Sequence, residues 1–352
     1  MLATLTELLD NKGITEIKEH IAIIKSWGTI SFILKKSALT KDDTRKIREF
    51  CAKMYFDPVL LPDIEQSERS AYNHFQDENF FTYIDRLVSD EREEFYNSYD
   101  FNIKPATDNK PYFSQFIKLS GFRNIKNLYG EGMVAFLEIG YFIILFTFIQ
   151  ITLAAVILII LPLFFTSWKG GGKGFTFLYF SGIGLGFMFV EIILIQQFIL
   201  YFGNPIYAAS AVLSGMLIFT GAGSLISSRL RNTSRISSVA LLLVILFILI
   251  YSLFLTPILR ATINANFLMK VFFSFIFIAP AAFFMGLPFP LGLRFLSEKN
   301  NNLIPWAWGI NGCFSVISTV LATIIAVEAG FFLVMVLAGL AYTLALIANL
   351  SR

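Results

Sequence analysis

Glu191 is the side chain in the second half of the chain that could most readily do chemistry inside a membrane. It lies within the apolar run FMFVEIILIQQ, and a charged side chain at the centre of a membrane helix costs about 2.5 to 3.5 kcal/mol on insertion scales. Such an acid is expected to face neighbouring helices or a wet cavity and to find a partner there. The pattern predicts either a proton or cation site at Glu191 or a polar clamp that joins two helices.

Amide side chains extend this candidate site. Gln196 and Gln197 follow Glu191 on the same stretch and point away from its face, to either flank. Asn204 precedes a proline, and Asn311 lies in a later apolar run. Interrupted membrane helices often line cavities because freed backbone carbonyls need partners, although a simple kink or turn gives the same pattern. The predicted intramembrane polar site therefore consists of Glu191, Gln196, Gln197, Asn204 and Asn311.

Asp108 is the candidate for catalysis outside the apolar runs. It lies in the segment PATDNKPYF, but an Asp close to a proline is also a common turn former. The residues that usually bind transition metals are sparse, because His20 and His74 are far apart and Cys51 and Cys313 form no CxxC pair. We predict no metal site and no disulfide framework.

The composition separates the chain into two parts. Of its 352 residues, 56% are hydrophobic and 15% charged, whereas soluble domains carry roughly 25% charged residues. Residues 1 to 132 contain 21 of the 25 acidic residues, and residues 133 to 352 carry 10 Lys and Arg against 4 acids. A single water-soluble globule is excluded. The basic residues of the second half stand in short clusters between apolar runs, which does not indicate a nucleic-acid partner.

Apolar runs long enough to cross a bilayer recur after residue 132, since about 20 helical residues span its hydrocarbon core. The sequence predicts seven spans: Ile139–Trp168, Gly174–Gly203, Pro205–Ser227, Ile236–Leu259, Val271–Leu293, Pro305–Val327 and Ala329–Leu350. Small residues on the second and third spans predict close helix packing in lipid. They are Gly182, Gly184, Gly186, Gly215, Gly221 and Gly223.

The distribution of basic residues predicts an orientation. If the seven spans alternate, one side holds 8 Lys and Arg and the other holds 5, counting Lys118, Arg123 and Lys126. The positive-inside rule then puts the C-terminus in the cytoplasm and residues 1 to 132 outside. If Ile139–Trp168 dips into the membrane without crossing it, residues 1 to 132 instead share the side richer in Lys and Arg.

The first part of the chain predicts a mixed α/β layer. A helix over Ala3–Asp10 is followed by two β-rich runs, Ile21–Lys25 and Thr29–Lys35, with a Gly turn between them. Thr40 then caps a second helix, and Val59–Leu61 forms another short strand. The front of such a layer is missing, because no glycine-rich loop follows a first strand and no acidic residue ends a second one.

Several segments together resemble one family of bacterial polytopic membrane proteins. The stretch from Ile23 to Leu34 is similar to the late strands of spermidine-synthase-like folds, which are related to S-adenosylmethionine-dependent methyltransferases. The segment PATDNKPYF resembles the PATDDRPYF signature that follows this domain in the family. The elements FMFVEI, QQF, YFGNPIY, MGLPFPLG and PWAWGING also resemble family elements and occur in the family's order, with Asn204 where the family more typically has His.

This resemblance implies a complete methyltransferase-like or aminopropyltransferase-like domain ahead of the PATD element. The chain is expected to open inside that domain, so no cofactor-binding residue can be assigned and the chain alone is expected to bind no cofactor. S-adenosylmethionine or its decarboxylated form would serve only with the N-terminal half supplied. The expected partners are the lipid bilayer and a separate chain that completes the α/β domain, whose sheet would otherwise expose an unpaired edge.

The expected fold is thus a mostly α polytopic membrane bundle of about seven helices, preceded by an incomplete Rossmann-like α/β fragment. Its domains are residues 1–117, a juxtamembrane linker at 118–132, and a helical membrane domain at 133–352. The expected function is the membrane part of a spermidine-synthase-like or methyltransferase-like protein in the bacterial inner membrane, not competent for catalysis alone. Two alternatives stay open, which are a transporter-like bundle with an intramembrane acidic site and a non-catalytic scaffold.

Overall fold

The structure is a computed structural model that describes residues 1–73, 79–112, 115–116, 139–166, 171–230 and 233–351. The chain divides into two compact units, one formed by Met1–Thr107 with Pro111–Glu138, the other by Asp108–Lys110 with Ile139–Arg352. We call them the N-terminal unit and the bundle. The predicted linker at residues 118–132 lies outside the described residues.

The N-terminal unit contains the predicted elements in the predicted order. They are α1 (Leu2–Asp10), β1 (Ile21–Lys25), β2 (Ile30–Leu34), α2 (Lys41–Met54) and β3 (Asp57–Leu60), followed by α3 (Phe80–Leu87) and α4 (Arg92–Ser98). The cap of α2 forms as expected, since Thr40 Oγ1 accepts a hydrogen bond from Asp43 N and Asp43 Oδ2 accepts one from Thr40 N, at 3.2 and 2.8 Å.

The sheet of this unit has the strand order β2-β1-β3 and is antiparallel throughout. Ile21 pairs with Leu34 across the hairpin, and Ile24 pairs with Pro58 on the other side of β1. A Rossmann-like fold is built on a mostly parallel sheet. The antiparallel pairing of these three strands therefore does not show the Rossmann-like arrangement expected of this region.

Polar pairs fix the packing around β1 and β3. Buried Asp57 accepts hydrogen bonds from the backbone N–H groups of Tyr72 and Asn73, each at 2.7 Å. Arg69, also buried, donates to both carboxylate oxygens of Asp85 at 2.8 and 2.9 Å. These bonds satisfy charges that would otherwise destabilise the core of the unit.

Among the described residues, the bundle contains seven helices or helix pairs that are long and apolar enough to cross a membrane, which agrees with the seven predicted apolar runs. The first consists of α5 (Ile139–Ala155), which continues through a π-helical turn at Val156–Ile160 to Leu163. The second, third and fourth are α6 (Lys173–Phe202), α7 (Pro205–Ser227) and α8 (Thr233–Ala261). The fifth is the pair α9 (Phe267–Met285) and α10 (Pro288–Lys299), and the last two are α11 (Ile304–Ala329) and α12 (Phe331–Leu350).

Large apolar side chains cover the outside of the bundle. Leu158, Phe165, Leu217 and Leu268 are each more than 70% exposed, which is the arrangement expected where lipid, and not water, is the solvent. The interior instead contains small residues. A Cβ on Gly182 would lie 2.5 Å from the backbone oxygen of Ala341, and one on Gly186 would lie 2.6 Å from the Tyr342 ring. The close packing predicted from these glycines is confirmed.

Gly221 differs from its neighbours. A Cβ at this position would have no heavy atom within 4 Å, so the prediction that Gly221 lets two backbones approach closely is wrong. Gly223, two residues further along α7, does fill that role, because a Cβ there would overlap the backbone oxygen of Phe283. The helix turns its face by about 200° between the two positions, which leaves Gly221 beside open space.

The first span runs the full length of the bundle along α11. Near the start of α5, Tyr141 donates a hydrogen bond to the Glu328 carboxylate at the C-terminal end of α11. Beyond its last turn, the Phe164 ring packs edge-on against Trp306 near the N-terminal end of α11, with ring centroids 5.6 Å apart. The segment therefore lies along most of α11, and whether it crosses the membrane or dips into it stays a prediction.

Candidate functional site

A cavity of about 470 Å³ lies among α6, α7, the break between α9 and α10, α11 and α12. Its walls include apolar side chains such as Phe187, Met188 and Leu217. The polar side chains in its lining are Thr220, Ser224, Asn311, Ser315 and Tyr342. The cavity opens at the surface of α7, where Leu217, Gly221 and Ser224 are exposed.

The helix break creates one wall of this cavity. The chain leaves α9 after Met285 and enters α10 at Pro288, and a Cβ on Gly286 would overlap the backbone oxygen of Thr220. Only glycine lets α7 approach the break so closely. Pro290 lacks the N–H that would donate to the carbonyl oxygen of Gly286 in an unbroken helix, and both residues line the cavity.

Small residues bring the polar wall of α11 against α6. A Cβ on Gly184 would lie 2.7 Å from the backbone oxygen of Asn311 and 3.1 Å from Ser315 Oγ. Asn311 Nδ2 donates to the Phe180 backbone oxygen at 3.2 Å, and Ser315 Oγ donates to that of Gly184 at 3.4 Å. The predicted site residue Asn311 thus belongs to the cavity.

Glu191 lies one turn beyond the cavity wall on α6. It follows Phe187 by four residues and Gly184 by seven, so the three share one helix face. Helical side chains lean toward the N-terminal end of their helix, which for Glu191 is the direction of the cavity. Its side chain is partly exposed and makes no hydrogen bond or ion pair with any residue that the structure describes. The expected partner of Glu191 is not among those residues.

The other predicted site residues lie elsewhere. Gln197 borders a second, smaller cavity of about 50 Å³ toward the other end of α6, and its buried Oε1 has no hydrogen-bond partner among the described residues. Asn204 caps α7, with Oδ1 accepting from the backbone N–H groups of Ile206 and Tyr207 at 2.9 and 3.4 Å. Gln196 is partly buried and lines neither cavity. The structure therefore places Asn311 in the wall of the larger cavity and Glu191 one turn beyond that wall on α6, whereas Gln196, Gln197 and Asn204 lie elsewhere.

Asp108 is part of a short segment, Asp108–Lys110, that belongs to the bundle and that we call the strap. Asp108 Oδ2 accepts from Arg260 at the end of α8, with 2.6 Å to both Nε and Nη2. Asn109 accepts hydrogen bonds from the backbone N–H groups of Phe331 and Phe332 at 2.8 Å each. Lys110 Nζ donates to the backbone oxygen of Glu328 at 2.8 Å.

The strap contacts were not predicted from the sequence. Asp108 and Arg260 are 152 residues apart, and no local pattern links them. Within the bundle, Asp108 binds the strap to α8 through its ion pair with Arg260. Asp108, Arg260 and Gln197 together border the smaller cavity. A catalytic role for Asp108 stays a prediction.

The described residues contain no group of three or more His, Cys, Asp or Glu that could hold a metal ion. Cys51 and Cys313 are free and buried. Burial raises the pKa of the Cys51 thiol to about 11, and the charge of Asp57 adds to this effect. Neither cysteine has the exposed, electropositive surroundings of a reactive thiol.

No model of a protein family matches the chain, and no curated protein or solved structure matches it.

Proposed function

We propose that the bundle is a transporter-like membrane unit that binds a small polar molecule in its central cavity. The observation that carries this proposal is the cavity itself, which combines about 470 Å³ of space with polar side chains among membrane-spanning helices. Ligand pockets typically range from about 300 to 1,000 Å³.

The helix break supports a role in transport. Many transporters bind their substrates near the bilayer midplane at discontinuous helices, where backbone groups are left without intrahelical partners. Gly286 and Pro290 stand at such a break and line the cavity. Glu191, on the same face of α6 as the cavity wall, supplies an acidic group that has no protein partner among the described residues.

The basic residues support an orientation. Among described residues, Lys173, Arg229, Arg235, Arg294 and Lys299 lie at or beyond the helix ends opposite the strap. The end that contains the strap has Lys110, Arg260 and Lys270. By the positive-inside rule, we assign the end opposite the strap to the cytoplasm.

For the whole protein, the resemblance to spermidine-synthase-like and methyltransferase-like membrane proteins is the basis of a second proposal. In it the N-terminal unit joins a separate chain that supplies the cofactor-binding strands, and the complex transfers a group from S-adenosylmethionine or its decarboxylated form in a bacterial inner membrane. The helix and strand order of the N-terminal unit is compatible with this idea. Calorimetry tests the accompanying claim, because saturable binding of micromolar S-adenosylmethionine to this chain alone would contradict it.

The transport proposal is tested in proteoliposomes with radiolabelled probes of different charge, namely putrescine, alanine and pyruvate. We expect uptake of at least one probe by the parent protein, lost in Glu191→Gln and retained in Asp108→Asn. A tryptophan at Gly221, which faces open space at the cavity, should fill the site and abolish the same uptake. Uptake that is unchanged in both Glu191→Gln and Gly221→Trp would refute the cavity as the transport site.

A further inference from the structure

We propose that the central cavity binds a small organic ammonium group that donates N–H hydrogen bonds. This inference rests on the proposed function of the cavity and names the chemical class of its ligand. It follows from which polar atoms of the lining are already used by the protein and which are left to a ligand.

Most polar side chains of the lining already donate a hydrogen bond to a backbone oxygen. Thr220 Oγ1 donates to the Met216 oxygen at 2.6 Å. Ser315 Oγ and Asn311 Nδ2 donate to backbone oxygens of α6, as described above. A hydroxyl has one proton, so Thr220 and Ser315 can offer a ligand only their oxygen lone pairs.

The remaining groups add more acceptor capacity than donor capacity. Asn311 Oδ1 accepts no hydrogen bond from the described residues, and the second Nδ2 proton of Asn311 is the donor that this amide still offers. The hydroxyls of Ser224 and Tyr342 can turn either way. A ligand that makes full use of this lining must therefore bring several N–H or O–H donors.

Charge selects an ammonium group over a neutral donor. Among the residues that the structure describes, no Lys, Arg or His lines the cavity, so none of these lining residues repels a cation. Glu191 is the nearest acid along α6, and an ammonium beside it would favour its charged form. The aromatic rings of Phe187, Phe289 and Tyr342 also border the cavity, and such rings attract cations through their faces.

The test places a single cysteine in the cavity wall at Ser224, in a background where Cys51 and Cys313 are replaced by Ala. The protein in lipid nanodiscs is treated with methanethiosulfonates that carry an ammonium (2-aminoethyl), a sulfonate (2-sulfonatoethyl) or no charge (methyl). The exposed residue Asn301, replaced by Cys, provides the reference for intrinsic reactivity. Ser315→Cys gives a second position in the same wall.

We expect the ammonium-to-sulfonate rate ratio at Ser224→Cys to exceed that at Asn301→Cys by about tenfold or more, the lower end of charge-driven enrichment in a cleft. Glu191→Gln should remove most of this preference, and Glu191→Asp should retain it. In competition, ethylammonium should protect the cysteine from methyl methanethiosulfonate, whereas tetramethylammonium, which has no N–H, should protect it poorly.

The outcomes separate the two claims. Reaction with the neutral reagent but an ammonium-to-sulfonate ratio equal to that at Asn301→Cys overturns the ammonium inference and leaves the cavity intact. Equal protection by tetramethylammonium overturns the requirement for N–H donors. Failure of all three reagents at both Ser224→Cys and Ser315→Cys overturns the accessible cavity, and with it the proposed function.

Discussion

Replacing Gly182 with alanine should weaken the contact between α6 and α12. The added Cβ would lie 2.5 Å from the Ala341 oxygen and 3.2 Å from Ala345 Cβ, whereas unstrained carbon-to-oxygen contacts are about 3.3 Å or longer. The two helices must therefore separate locally by about 0.8 Å, and a gap of this size forfeits a quarter to a half of each dispersion contact that it opens.

The magnitude follows from two opposing terms. Overpacking of a filled interior costs about 1 to 3 kcal/mol, whereas Gly to Ala inside a helix gains about 0.5 to 1 kcal/mol. Gly174→Ala on the same helix provides the control, because a Cβ there would have no heavy atom within 4 Å. We expect Gly182→Ala to be less stable than Gly174→Ala by about 1 to 3 kcal/mol.

The assay is unfolding of the purified protein in detergent, followed by loss of helical circular dichroism at increasing SDS fraction. Both variants are compared with the parent under identical detergent and protein concentrations. Equal stability of Gly182→Ala and Gly174→Ala would refute the close backbone approach of α6 and α12, and with it the packing that forms this side of the cavity.

Three further predictions concern contacts outside the cavity. Asn109→Ala removes the acceptor of the Phe332 N–H and should destabilise the bundle by about 1 kcal/mol, as loss of a helix cap does, measured by the same SDS titration. Asp85→Ala leaves the buried Arg69 guanidinium without its carboxylate and should cost about 1.5 to 3 kcal/mol in urea unfolding of the N-terminal unit. Cys51, with its thiol pKa raised by burial to about 11 from 9.0, should react with iodoacetamide at pH 8 roughly 100-fold more slowly in the folded than in the unfolded protein. Because the thiolate is the reactive form, the rate in the folded protein should rise about tenfold per pH unit up to pH 11, and a rate that is already flat above pH 9 would contradict the buried environment.

The helices of the bundle could be predicted from the sequence because the requirement that produces them is local. Each span must satisfy its own backbone hydrogen bonds in lipid, so one continuous apolar segment of the sequence shows its length and hydrophobicity. The break at Asn204 was also predictable from local sequence, because Asn followed by Pro favours a helix cap and the first turn of a new helix. In the structure Asn204 does cap α7.

The cavity and the strap could not be predicted, because both depend on which distant residues meet. Gly221 looked like its neighbours in sequence, yet it faces open space and Gly223 faces Phe283. The pairing of Asp108 with Arg260 joins the strap to α8 across 152 residues of sequence. Gln197 and Asn311 border different cavities, and helical position alone does not say which cavity a side chain borders.

Maleimide labelling of the cavity wall tests the central claim, an open polar cavity inside the bundle, most directly. Ser315 lines the cavity, whereas Ser318, one turn further on the same helix, is fully buried and does not. In nanodiscs, with the native cysteines replaced, Ser315→Cys should react with N-ethylmaleimide in the folded protein, and Ser318→Cys only after denaturation. Equal protection of both cysteines in the folded protein would contradict the account.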